Sequence, residues 1–150
     1  DLVRRYSDLQ KEVNADYIVR VTGDCPLLQG YLITKCINTS VRNEYDFLDN
    51  ASKEYRCFFD GADVEVLSKK ALKWLDDNAE EREHVCHDLR SNYDEELRYG
   101  HVFLHLDLSF FKLSVDNQKD LELVTNQYKS VVNKKRLWEE KHGKGTAHMF

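Results

Sequence analysis

At 150 residues, 41% of them hydrophobic and 33% charged, the chain is long enough to bury one core without disulfide or metal staples. Its net charge of -5 argues against a nucleic-acid surface, which needs a Lys/Arg stripe to displace counterions from phosphates; a small anionic ligand needs only a few local cations or backbone N–H groups and stays open. No apolar run reaches the roughly 18 residues of a membrane span, and no signal-peptide order precedes the first helix, so the expectation is a cytoplasmic protein without membrane or nucleic-acid partners.

The chain starts at Asp1 rather than Met, and an upstream segment is expected in the natural polypeptide. Leu2, Val3, Tyr6, Leu9 and Val13 recur at helical spacing, and Tyr17 to Thr22 follows as a β-branched strand. That run stops at Gly23-Asp24 and turns at Pro26, the only proline. A carboxylate at such a stop lies where the ligands of open α/β sheets gather, which makes Asp24 the first candidate site residue. Leu32, Ile33, Cys36, Ile37 and Val41 mark a second helix to about Asn43, and Tyr45 to Leu48 a second strand.

A polar, aromatic loop fills 49–61, and alternation returns over Ala62 to Leu67. Asp63 and Glu65 share one face of that strand, after Asp60; they read either as an acidic functional edge or as the solvated charges that guard a sheet edge. Ser68 is placed to cap the helix of Ala71, Leu72 and Leu75, and a further helix is expected over 82–93. Val102, Leu104, Leu106 and Leu108 alternate as a half-buried strand, and Phe111, Leu113 and Val115 continue the pattern up to Asp116. Asp116 would cap the helix of Leu121, Val124, Tyr128 and Val131. The main domain is expected over 1–132, with a peripheral helix over 133–142 and a loose tail to residue 150. His142 and His148 are too isolated to be metal ligands. Cys25, Cys36, Cys57 and Cys86 are scattered without a C-x-x-C pair and read as reduced thiols.

Helix and strand alternate, which predicts an α/β fold. If the segments ending at Asp24 and Asp116 are neighbours, two carboxylates converge as a Mg²⁺ site for a phosphate-bearing substrate requires.

Four blocks carry a resemblance: Val19-Arg20-Val21-Thr22-Gly23-Asp24-Cys25-Pro26-Leu27, Asp60-Gly61-Ala62-Asp63-Val64-Glu65-Val66, Arg82-Glu83-His84-Val85, and Ser114-Val115-Asp116 followed by Asp120-Leu121-Glu122. In this order they resemble the cytidylyltransferases of sugar-nucleotide synthesis over residues 1–130, with the branch named spore coat polysaccharide biosynthesis protein F the most similar. The resemblance implies the C-terminal portion of a Rossmann-like nucleotide-diphospho-sugar transferase (GT-A-like) fold, a mixed sheet flanked by helices. It implies attack of a sugar or sugar-acid hydroxyl on the α-phosphate of CTP, with Mg²⁺ held by Asp24 and Asp116 as the catalytic and metal residues. Asp60, Asp63, Glu65, Arg82 and His84 would form the sugar-side wall, with Arg82 pairing a sugar carboxylate. Arg20 is compatible with a phosphate contact or a structural ion pair. A homodimer is also implied; Tyr55, Phe58 and Phe59 are candidates for the contact, or else they cap the sheet.

Several positions depart from the family pattern. The basic, Gly/Pro-containing nucleotide loop does not occur in these residues and is expected upstream, so this piece alone should be a poor enzyme. Phe59 stands where proline is common, Cys86-His87 where Thr-Pro is common, and Lys112-Leu113 where Arg-Trp is common. The alternatives are a non-catalytic sugar- or nucleotide-binding or structural module on the same fold, and a transferase that uses a uridine nucleotide.

Overall fold

The computed structural model of the chain describes residues 1–145; His148 and the end of the expected tail lie outside them. In chain order the elements are α1 (Leu2–Val13), β1 (Tyr17–Arg20), α2 (Gly30–Asn43), β2 (Phe47–Asp49), β3 (Glu65–Ser68), α3 (Lys69–Asn78), α4 (His87–Ser91), β4 (Tyr99–His101) and α5 (Gln118–His142). The four strands form one mixed sheet in the order β1-β3-β2-β4. Strand β3 is antiparallel to both β1 and β2, and β2 is parallel to β4. Strands β1, β2 and β4 therefore all end at one end of the sheet, where β3 begins.

Alternation along the strands splits the core in two. Phe47 and Leu67 face a cluster with Val3, Leu72, Leu75, Val85 and Leu89, contributed by α1, α3, α4 and the segment before α4. Leu48 and Val66 face the other way, against Cys36 of α2, Phe58, Val64 and Val102. Helices thus cover both faces, the α/β arrangement expected from the sequence. Gly100 sits under the Tyr45 ring, where an added Cβ would come within 2.4 Å, so the aromatic fills the space its missing side chain leaves.

Several expected boundaries are corrected. Strand β3 is central, not an edge, because its residues pair on both sides; Glu65 is 3% exposed, which removes the solvated-edge reading. The strand expected over 101–108 ends at His101, and Phe103, Leu104 and Leu106 are exposed, so their alternation does not mark a half-buried ladder. Between 111 and 115 only a single bridge, Asp60 to Lys112, resembles strand pairing. The helix expected over 82–93 shrinks to α4, since the backbone before it is held by the Asp88 carboxylate, which accepts from Glu80 N at 2.7 Å and Glu81 N at 3.0 Å. Helix α5 runs unbroken through residue 132 because nothing from Asn133 to His142 is a helix breaker. Its cap is Asn117, whose side chain accepts from Lys119 N and Asp120 N, not Asp116. The cap at Ser68 forms as expected, accepting from Ala71 N at 3.1 Å. Phe58 is buried in the core, Phe59 packs beside it, and Tyr55 alone of the three aromatics is exposed.

Candidate functional site

One face of the sheet carries two rows of side chains. The inner row, Ile18, Leu67, Phe47 and Tyr99, is apolar; one pleat nearer the carboxyl end, the paired positions are Arg20, Glu65, Asp49 and His101. The second row is charged along its whole width. Arg90 of α4 lies across it: Nε donates to Asp49 Oδ2 at 2.6 Å and Nη2 donates to Glu65 Oε1. Arg20 Nη1 donates to the other Glu65 oxygen at 2.5 Å, and His101 Nδ1 lies 2.7 Å from Asp49 Oδ1. Both carboxylates are 3% exposed, so they are tolerable only with the two guanidinium groups and the imidazole as partners. Burial works against the charge on Arg90, but Glu65 and Asp49 outweigh it and raise its pKa; Glu65 does the same for Arg20. His101 Nε2 is buried without a partner among the described residues.

Above this row opens a cleft of about 590 Å³ lined by Arg20, Arg56, Asp63, Glu65, His84 and Arg90, among others. A similar groove between α1 and α3 has lysines already engaged, Lys11 with Asp76 and Lys73 with Asp77, and lies off the carboxyl end of the sheet. In the first cleft Arg56 Nη2 donates to Asp63 Oδ2 at 2.9 Å, and Nη1 reaches Asp60 Oδ1 at 3.4 Å. Burial raises the Asp63 pKa even against the opposing Arg56 charge. A carboxylate so placed is a better proton acceptor than an exposed one.

Three loops meet at the carboxyl end. Asp60 N donates to Phe111 O at 2.9 Å, Leu113 N returns to Asp60 O at 2.6 Å, and Val115 N donates to Asp24 O at 2.8 Å. Ser114 Oγ donates to Asp60 Oδ2 at 2.9 Å. Gly61 is essential to this seam: its φ is +107°, and a Cβ would lie 2.6 Å from the Leu113 carbonyl carbon and Ser114 N. The loop after β1, the loop after β2 and the segment before α5 are thereby joined, which sets the Asp24 turn against the backbone leading to Asp116. Neither acid ends a strand directly, as had been expected; both sit on exposed loop backbone. Asp116 accepts from Lys112 Nζ at 2.6 Å.

The sequence of the chain matches the sequence model of the cytidylyltransferase family over residues 2–142. The chain belongs to the cytidylyltransferase family. A solved structure of a cytidylyltransferase from Leptospira borgpetersenii serovar Hardjo-bovis (strain JB197) superposes with a TM-score of 0.78 at 26% identity, covering all of this chain and 67% of that one. Uncharacterized protein MJ1063 of Methanocaldococcus jannaschii is 27% identical over an alignment 147 positions long, which covers 89% of this cytidylyltransferase chain and 58% of the relative. The chain thus spans somewhat more than half of that relative's length. The mixed, helix-flanked sheet agrees with the Rossmann-like nucleotidyltransferase architecture expected from the sequence.

Within this cytidylyltransferase chain, Arg20, Asp63, Glu65 and His84 line one cleft, with Asp60 tied to its wall through Arg56. Arg82 is not with them. Its Nε donates to Asp1 Oδ2 at 2.8 Å, Nη2 reaches Asp76 Oδ1 at 3.3 Å, and Nη1 reaches the carbonyls of Leu75 and Asp76, so it clamps the end of α3 to the start of α1. Its guanidinium thus joins two helices, away from the cleft lined by the other residues. Arg20 makes the structural ion pair with Glu65, one of the two readings left open for it, and also lines the cleft. Asp49, Arg90 and His101 were not foreseen. The period of two puts Asp49 on the face of Phe47 at the strand's end, a signal available for that residue; for Arg90, on a short helix, no sequence pattern pointed to the sheet.

Proposed function

We propose that this chain is the metal- and acceptor-binding part of an enzyme that transfers CMP from CTP to a sugar or sugar acid. In this reading the nucleotide cradle comes from residues outside these 150, and the enzyme serves polysaccharide or glycan biosynthesis in the cytoplasm, within the spore coat polysaccharide biosynthesis protein F branch. The observation that carries the reading is the hydrogen bond from Val115 N to Asp24 O, 2.8 Å, which sets the segments of Asp24 and Asp116 side by side where the ligands of such sheets collect.

The donor set fits Mg²⁺: two exposed carboxylates are hard ligands that leave room for water and phosphate oxygens. Asp24 and Asp116 would hold the ion, and the chemistry it supplies when bound is Lewis-acid polarisation of the α-phosphate. The sugar hydroxyl forms the new bond to that phosphorus while pyrophosphate leaves. Arg90 Nη1 and Arg20 Nε have no partner among the described residues, and these donors bind the acceptor's carboxylate in place of Arg82. Glu65 holds both guanidinium groups in position. Asp63 takes the hydroxyl proton, oriented by Arg56, and His84 closes the same wall. The exposed residues Phe103, Leu106 and Phe110 form the contact of a homodimer.

A calorimetric titration of the full-length protein with CTP in Mg²⁺, repeated with UTP and with Asp24→Asn, tests this. Binding should require Mg²⁺, prefer CTP and vanish in the variant. Undiminished binding by Asp24→Asn would remove the metal assignment. In the full-length enzyme Asp24→Asn and Asp116→Asn should each lower kcat by orders of magnitude with the fold intact. The second reading, a non-catalytic binding module, is favoured by the ammonium of Lys112 resting on Asp116; near-normal ligand binding with no turnover in the full-length protein would establish it.

A further inference from the structure

We propose that Lys112 is a placeholder cation for the metal, held on Asp116 until a divalent ion displaces it; the proposal rests on the metal assignment made above. Lys112 Nζ lies 2.6 Å from Asp116 Oδ2 and 2.6 Å from Asp120 Oδ2. The two carboxylates differ in how they are held. Asp120, its side chain 18% exposed, also accepts from Asp116 N at 3.1 Å and from Asn117 Nδ2 at 3.0 Å, so it is a fixed post. Asp116 has a side chain 58% exposed, and its carboxylate accepts from Lys112 alone among the described residues.

The backbone of Lys112 is pinned as well, since Phe111 O and Leu113 N on either side bond to Asp60. The ammonium can therefore leave Asp116 without leaving the site, because Asp120 retains it. Before a divalent ion arrives, it neutralises a carboxylate whose backbone segment is bonded to that of Asp24. Once the ion is bound to Asp116, a positive charge stays close by, which weakens the ion's hold and favours its release with product. Arginine at this position would make a planar fork with the same two acids and yield one of them less readily than the compact ammonium.

The test uses Mn²⁺ alone, its free-ion signal followed by electron paramagnetic resonance at fixed ionic strength. An exposed pair of this kind is worth a few-fold in binding. Lys112→Gln should therefore bind Mn²⁺ about three- to five-fold more tightly than wild type, and Lys112→Arg should stay at or below wild type. Asp116→Asn should abolish binding in both the wild-type and Lys112→Gln backgrounds. Lys112→Gln binding no tighter, with Asp116→Asn still abolishing it, overturns the placeholder role and leaves the metal assignment standing. Binding indifferent to Asp116→Asn, or absent from wild type and Lys112→Gln alike, overturns the metal assignment and the proposal with it. Lys112→Arg as tight as Lys112→Gln also overturns the proposal, because charge would not be the cause. Should Lys112→Gln fail to keep the wild-type circular dichroism, Lys112→Met takes its place.

Discussion

Glu65 is held between two guanidinium groups, and Asp49 between a guanidinium and an imidazole. Removing the shared member, Arg90, should cost more than any single contact suggests, because it takes one partner from each of two buried carboxylates. Arg90→Ala is expected to lower stability by about 3 kcal/mol, measured by urea unfolding. Arg90→Lys should recover only part of this, since an ammonium cannot span both acids as the fork does. A second residue-scale expectation concerns Cys36. Burial, and then the charge of Asp49, pushes its thiol up to about 11. A raised pKa means that its contribution is complete below the unfolded thiol range and is lost as pH rises towards 11. Unfolding free energy should fall by about 3 kcal/mol across that window. Cys86, raised by burial and by Glu65, acts in the same direction. Cys36→Ala should shrink the alkaline loss relative to wild type; an equal loss in both proteins would show that another group is responsible.

At the scale of elements, the helix periods and the strand alternation were legible because each follows from local geometry. The ends of the strands were not. Val102 to Leu108 alternates as a strand should, yet a ladder needs a partner, and beyond His101 the segment bonds irregularly to Cys57 instead. Strand β3 was misread for the opposite reason. A carboxylate at every second position looks the same from the sequence whether water or arginine faces it, and here it is arginine. Arg82 shows the same limit, since a motif match gives a residue's neighbourhood but not the direction of its side chain. Gly61 was legible only as part of a motif; the structure supplies its reason. Gly61→Ala would force a non-glycine residue to φ +107° and press a methyl group onto the Leu113 and Ser114 backbone. A loss of about 2 kcal/mol or more is expected in thermal unfolding. The damage should appear at Asp24 and Asp116 as well, read as chemical-shift changes in both segments; changes confined to residues 59–63 would show that the seam does not couple them.

At the scale of the whole molecule, the chain is a mixed sheet whose outer strands are β1 and β4, and the two proteins it is similar to are longer. The homodimer proposed above is tested by sedimentation velocity: a mass that rises with concentration in wild type and falls to monomer in Phe110→Ser with Leu106→Ser supports it, and a monomer at all concentrations removes it. No helix among the described residues is long and apolar enough to cross a membrane. The joined loops at the carboxyl end carry one more consequence. Residues 108–115 lie almost wholly outside regular structure, which ordinarily means amide protons that trade with solvent quickly. Here Phe111, Leu113 and Val115 each donate to a backbone carbonyl, and Leu113 and Val115 reach other loops. Their amides should exchange slowly and together, at a rate common to Asp60 and unlike that of the exposed residues 103–106. An irregular stretch would then open as a single unit, and the segments of Asp24 and Asp116 that it joins would be brought together or separated in one step.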